Sequence, residues 1–138
     1  MAHYAKVLDG KVISVIVADA EYMASFVDTS PGKWLQTSYN TRHNKHHKFT
    51  RDGSLKESDT EDGGTPLRGN SAGIGMNYDY DGDYFYHNRP NDDTGAICES
   101  WRFDTTDVRW KPPIGKDYPD DGKEYKWVEA STSWVEVT

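Results

Sequence analysis

The sequence predicts an all-β, β-dominated fold of consecutive antiparallel hairpins, with one short helix and long polar loops. Three observations carry that expectation. Short runs rich in β-branched and aromatic residues recur along the chain, and pairs of them flank turn formers such as Asp9-Gly10 and Asp81-Gly82. Helical periodicity is confined to residues 20–27, where Tyr22, Met23, Phe26 and Val27 share a face. Leu, Ile, Val and Phe make up only 22 of 138 residues, a level at which disorder competes with folding unless other side chains supply the core. Five Trp and nine Tyr do so, since each large ring buries roughly 150–250 Å².

Taken in order, His3 to Leu8 and Lys11 to Ala18 form a hairpin about Asp9-Gly10, a pair suited to positive φ at both turn positions. The near-continuous apolar run Val12, Ile13, Val15, Ile16, Val17 predicts a strand covered on both faces. Asp19 caps one or two helical turns over 20–27. Pro31-Gly32 ends that unit, and Trp34 to Tyr39 resumes as a strand. Residues 40–66 read as a long loop with a sharp reversal of charge. Arg42 to Arg51 carries four cations, three histidines and no acid, whereas Asp52 to Asp62 carries five acids against Lys56. Loops of this length in a small domain are usually functional or mobile. Tyr78, Tyr80, Tyr84 and Tyr86 about Asp81-Gly82 predict a second hairpin over 75–87.

The C-terminal part contains an internal repeat. Trp101-x-Phe103-x6-Trp110 aligns with Tyr125-x-Trp127-x6-Trp134 at an offset of 24 residues, with Asp104 to Asp107 and Ser131 to Ser133 as the respective turns. Two aromatic-clasped hairpins are expected, since cross-strand aromatic pairs stabilise small sheets by up to about 1 kcal/mol each. The domain organisation read from these elements is one small β-domain over 1–138. Within it, 1–93 forms an N-terminal β-core with the loop 40–66, and 97–138 holds the two hairpin repeats.

Several functional classes are disfavoured. With 16 basic against 23 acidic residues the net charge is −7, which opposes binding to a polyphosphate backbone. No apolar stretch approaches the length of a bilayer span, and Met-Ala-His-Tyr-Ala-Lys lacks the pattern of a signal peptide. A lone cysteine, Cys98, rules out an internal disulfide and any multi-cysteine zinc site. Its neighbour Glu99 should raise the thiol pKa rather than activate it.

The remaining motifs yield no chemistry. His43, His46 and His47 lie in one cation-rich stretch, whereas a metal centre draws ligands from separate elements, so a solvated loop explains them better. Asn77-x-Asp79-x-Asp81-Gly82 matches the first half of a calcium loop, but position twelve is Asn88 instead of Glu. Gly73-x-Gly75 has Tyr78 where a nucleotide fingerprint needs its third glycine; these glycines are expected to permit a bulge or a close backbone approach. No nucleophile–base order or carboxylate pair stands out. The expectation is a non-enzyme with no catalytic residues, metal or cofactor.

The blocks Met1 to Lys6, Trp34-Leu-Gln-Thr-Ser-Tyr-Asn40, Leu67-Arg-Gly-Asn-Ser-Ala-Gly-Ile-Gly75 with Tyr78-Asp79 following, Ser100-Trp101 and Trp110 resemble a family of small virion structural proteins of tailed bacteriophages, of the marine cyanophage type. The chain departs from that pattern in the loop between 41 and 66, and in its second aromatic hairpin. The resemblance implies a protein of the virion, assembled in the host cytoplasm, with phage capsid or tail proteins as partners, self-association as a further option, and neither nucleic acid nor membrane. The first expectation is a capsid decoration (knob or cement) protein. The alternatives are a tail or tail-fibre-associated component binding a host glycan, and a free carbohydrate-binding module. Arg42, Lys45, His46, Lys48 and Arg51 form the expected contact loop for an acidic partner surface. Trp101, Phe103, Trp110, Tyr125, Trp127 and Trp134 serve either as core or as interface.

Overall fold

Asp9 and Gly10 both take positive φ, 50° and 76°, and so close the tight turn that matches the twist of paired strands. In the computed structural model, which describes residues 2–46 and 65–137, this turn joins β1 (Ala2–Leu8) to β2 (Lys11–Ala18). The fold is all-β, and among the described residues the only helical elements are one six-residue helix and a short 3-10 turn. It divides into two compact units, Met1–Tyr86 with Thr106–Val108, and His87–Thr105 with Arg109–Thr138.

The first unit is built on an antiparallel five-stranded sheet. β3 (Lys33–Thr37) pairs with β1, and β6 (Asn77–Asp79) and β7 (Tyr84–Tyr86) extend the sheet beyond β2, in the order β3-β1-β2-β6-β7. A bulge between Lys6 and Val7 pairs Ala5 with Val15 but Val7 with Val12. Val12 and Val15 are three residues apart and would otherwise face opposite sides; the bulge turns both to the same core face. The apolar run in β2 therefore reflects a parity shift and not burial on two sides, and Ile13 and Val17 remain 42% and 55% exposed. The core consists of Ala5, Val7, Val12, Met76, Tyr78 and the fully buried Phe85, with Val15, Leu35 and Ala72 against it.

The opposite face of β1 carries Lys6, buried beside Trp34. The helix α1 (Ala20–Ser25) begins at Asp19, whose Oδ1 accepts from the Tyr22 amide at 2.7 Å, and Phe26 beyond it meets Trp34 edge-on at 5.8 Å. The Lys6 ammonium donates to Asp28 Oδ2 and to the Ser30 hydroxyl, while Trp34 Nε1 donates to the same Asp28 oxygen at 3.0 Å. A buried charge is tolerable only when paired in this way. Gly32 lets the chain pass over the lysine: its φ is +124°, and a Cβ would lie 2.8 Å from Lys6 Cε and 3.0 Å from the Val7 carbonyl.

Residues 67–72 have no regular structure, and their polar groups are met by isolated backbone bonds, such as the Phe85 amide on the Arg68 carbonyl at 2.9 Å, and by buried side chains. Thr41 Oγ1 accepts from the Leu67 amide at 3.1 Å, and Thr37 Oγ1 from Ala72 at 2.8 Å. Asn70 is 3% exposed. Its Nδ2 donates to the carbonyls of Phe85 and Val108, at 2.8 and 2.9 Å, and its Oδ1 accepts from His43 at 2.8 Å. The Gly69 φ of +77° and a hypothetical Cβ only 2.9 Å from Tyr84 Cβ exclude a side chain there. The Gly73–Gly75 turn lies against β2, with Gly75 donating to the Val12 carbonyl at 2.9 Å.

The second unit holds two two-stranded sheets, β8 (Arg102–Asp104) with β9 (Arg109–Lys111), and β10 (Tyr125–Val128) with β11 (Ser133–Glu136).

Two outcomes follow from the first unit. Asn70→Ala should lower the unfolding free energy by about 3 kcal/mol or more in urea titrations, because two buried carbonyls and one amide lose partners worth roughly 1–3 kcal/mol each. Asp28 is held well below its ordinary value of 3.8, first by the Lys6 hydrogen bond and then by Ser30. Its contribution is thus complete above about pH 4 and declines as pH falls through that value. The melting temperature should drop below pH 4, and Asp28→Asn should be less stable at pH 7 but show a shallower acid slope.

Candidate binding cleft in the aromatic hairpins

The cation-bearing stretch starts as a hairpin, which corrects the expectation of a loop from residue 40. His43 and Asn44 have φ of 49° and 59° and join β4 (Thr41–Arg42) to β5 (Lys45–His46). The short side chain of asparagine tolerates this conformation. The hairpin is fixed within the first unit, with the Asn44 amide on the Gly69 carbonyl at 2.7 Å and the Ser71 amide on the Thr41 carbonyl at 2.8 Å. Arg42 and Lys45 face each other across the strands, and Lys45 is exposed. His47, Lys48 and Arg51 lie outside the described residues.

The two aromatic segments pair in one register. Phe103 opposes Trp110 and Trp127 opposes Trp134, each pair with ring centroids 5.2 Å apart and planes at 74° and 75°. Edge-to-face contact at this spacing is the preferred ring geometry. The equivalence extends to the backbone: Val108 and Thr132, also 24 residues apart, both adopt left-handed conformations, with φ of 50° and 45°. Trp101 meets Trp127 and Trp134 edge-on at 5.7 and 6.0 Å, whereas its counterpart by position, Tyr125, meets Tyr118 at 5.9 Å.

Side chains from the 87–101 segment brace these rings. Arg89 donates to the carbonyls of Cys98, Glu99 and Trp101, and its guanidinium stands 4.3 Å over the Trp110 ring. Asp92 Oδ1 accepts from Thr94 and Ala96, and its Oδ2 accepts from the Glu129 amide at 2.9 Å. These bonds, led by the Thr94 hydroxyl and then the Glu129 amide, hold the Asp92 pKa down at about 2. Glu129 in turn accepts from the Ser100 hydroxyl at 2.6 Å and from Trp127 Nε1, and its pKa is lowered chiefly by Ser100. The Tyr125 hydroxyl donates to Asp121, which pushes the phenol up to about 12. Cys98 is buried, and its thiol is raised first by burial and then by the charges of Glu129 and Asp92, not by the adjacent Glu99.

Between the hairpins lies an open cleft of about 620 Å³. Trp101, Trp110, Tyr118 and Trp134 line it together with Arg102, Arg109, Lys111, Pro112 and Asp117. Trp110 Nε1 donates to the His87 carbonyl at 2.8 Å and Trp134 Nε1 to the Lys116 carbonyl at 2.7 Å, so both indoles are fixed in orientation. Lys111 pairs with Asp104 at 2.7 Å, and Arg102 reaches the same carboxylate at 4.0 Å. The arrangement places aromatic rings beside charged side chains, which suits ligand binding.

The calcium-like turn is engaged locally, with Asp79 Oδ1 accepting from Gly82 at 2.7 Å and Asp83 taking Arg68 Nε at 2.9 Å and the Tyr78 hydroxyl. Among the described residues no three His, Cys, Asp or Glu side chains stand together as a metal cluster. Sequence reading brought out the six aromatics but missed Arg89, Asp92 and Glu129, because polar side chains in a turn-rich segment give no periodic signal. No family model, curated protein or solved structure matches the chain.

Trp127 is the best buried ring of the second unit, at 5% exposed. Trp127→Ala should cost about 3–5 kcal/mol and abolish the near-ultraviolet circular dichroism of the paired indoles. Glu129→Gln, which keeps an acceptor for Ser100, should cost less than Glu129→Ala in the same thermal melts.

Proposed function

We propose that the chain is a non-enzymatic structural component of a bacteriophage particle, acting through contact surfaces as a decoration protein of the head. The observation that carries the non-catalytic reading is the fate of the perturbed carboxylates. Active sites leave an acid or base with a shifted pKa facing a cleft. Among the described residues, Asp28, Asp83, Asp92, Asp121 and Glu129 are each consumed by hydrogen bonds that hold local structure. The virion assignment rests on the sequence blocks 34–40 and 67–75. These blocks contain Thr37, Gly69 and Asn70, the residues that frame the first unit. A second reading, a tail-associated component that binds a host glycan, draws on the aromatic cleft.

In the decoration reading the hairpin bearing Arg42, Lys45 and His46 meets an acidic partner surface, with Lys48 and Arg51 following in sequence. Exposed cations at an interface rim steer association more than they hold it, and salt screens them. Replacing Arg42, Lys45, Lys48 and Arg51 by Ser should lower the number of copies in purified particles severalfold, most visibly at low salt where these charges are least screened, with folding of the isolated protein checked by thermal melts. Quantitative mass spectrometry of particles separates the two readings. Decoration requires hundreds of copies, whereas a tail component occurs in a small multiple of three, following the symmetry of its ring. Absence from purified particles would end both.

A further inference from the structure

We infer that the cleft between the aromatic hairpins of the second unit is a saccharide-binding site selective for acidic sugars. Its volume of about 620 Å³ falls within the roughly 300–1,000 Å³ of small-ligand sites. A sugar ring presents an apolar C–H face and a polar rim, and the cleft is divided in the same way. Trp101, Trp110, Trp134 and Tyr118 supply flat apolar surface. The indole hydrogen bonds of Trp110 and Trp134 to backbone carbonyls fix those rings before any ligand arrives, which lowers the ordering cost of binding. Arg89 over Trp110 holds that ring from the protein side.

Charge selects the class of sugar. The chain carries −7 overall, yet the cleft wall has Arg102, Arg109 and Lys111 against Asp117 alone. Asp104 lies behind, pairing with Lys111 and Arg102. This local reversal favours an anionic ligand, and the guanidinium groups suit the carboxylate or sulfate of an acidic saccharide. A protein side chain docked as a hot spot would call for a desolvated apolar pocket, whereas here the rings stand beside Arg102, Arg109, Lys111 and Asp117. The inference deepens the glycan reading above. It is tested on the isolated chain, so its failure is distinct from absence of the protein in particles.

The full chain is applied to an immobilised panel of uronate, sialylated and sulfated oligosaccharides alongside their neutral parents, and retained members are titrated by calorimetry. Acidic members should bind at least tenfold more tightly than the neutral ones, and weaken as salt is raised. The double substitution Arg102→Gln, Arg109→Gln should lower affinity for acidic members by about tenfold or more, the loss expected for a charge-assisted hydrogen bond, while leaving affinity for neutral members unchanged. Tyr118→Ala should weaken acidic and neutral members alike. No retention of any panel member, equal retention of acidic and neutral ones, or wild-type affinity in both variants would overturn the assignment. Preference for an acidic peptide over every saccharide would overturn it as well.

Discussion

The buried carboxamide of Asn70 sets the constraint on which the first unit rests. A primary amide offers two donors and an acceptor in one plane, and here all three directions are used, towards Phe85, Val108 and His43. Those partners lie in segments far apart in sequence, so the amide fixes their mutual spacing as no apolar contact could. Backbone from 67 to 72 has no strand ladder to satisfy it, and unpaired groups at that depth would be costly. Thr37 and Thr41, at 2% and 1% exposed, complete the work with their hydroxyls. Gly69 is glycine because the chain beside Asn70 must press against Tyr84 and Val108. A chain poor in Leu and Ile thus fixes its shape with directional polar contacts where a larger core would rely on volume.

The second unit applies the same logic to rings. Its hairpins are too short for ladders of hydrogen bonds to hold them alone, and edge-to-face pairs at matching positions supply the cross-strand contact. Asp92 and Glu129 form a relay, carboxylate to amide and carboxylate to hydroxyl, that ties the 90–101 segment to the turn of the second hairpin. The lowered pKa values of both acids are the electrostatic trace of that relay.

The hairpins, the short helix and the aromatic register were legible in the sequence because each leaves a local signature: Asp9-Gly10, the Asp19 cap, and the repeat of 24 residues. The bulge in β2 was not, since Val12-Ile13-Ser14-Val15 reads equally as a two-sided strand; only the register distinguishes the two. Nor was the hairpin at 41–46, whose turn residues His43-Asn44 are hidden within a run of charge. Asn70 stands in a stretch of small and polar letters that resembles an ordinary loop, and nothing in spacing alone marks a loop residue as buried. For the cleft, the rings were visible but their convergence with Arg102, Arg109 and Lys111 was not, because it arises from the connector at 112–118 that returns Tyr118 and Asp117 to the same space.

The distribution of indoles also divides the molecule optically. Trp101, Trp110, Trp127 and Trp134 all belong to the second unit, and Trp34 alone to the first. Trp127 and Trp134, 5.2 Å apart at 75°, are close enough for their excited states to mix, giving a split dichroic band that vanishes when the hairpin opens. Tryptophan emission is therefore mainly a reporter of the second unit. Trp34, with Lys6 at 5.8 Å from its ring and Asp28 on its indole nitrogen, sits in a strong local field, so its emission colour and quenching register the state of that ion pair. Two spectroscopic channels, one for each unit, are thus written into the placement of five residues.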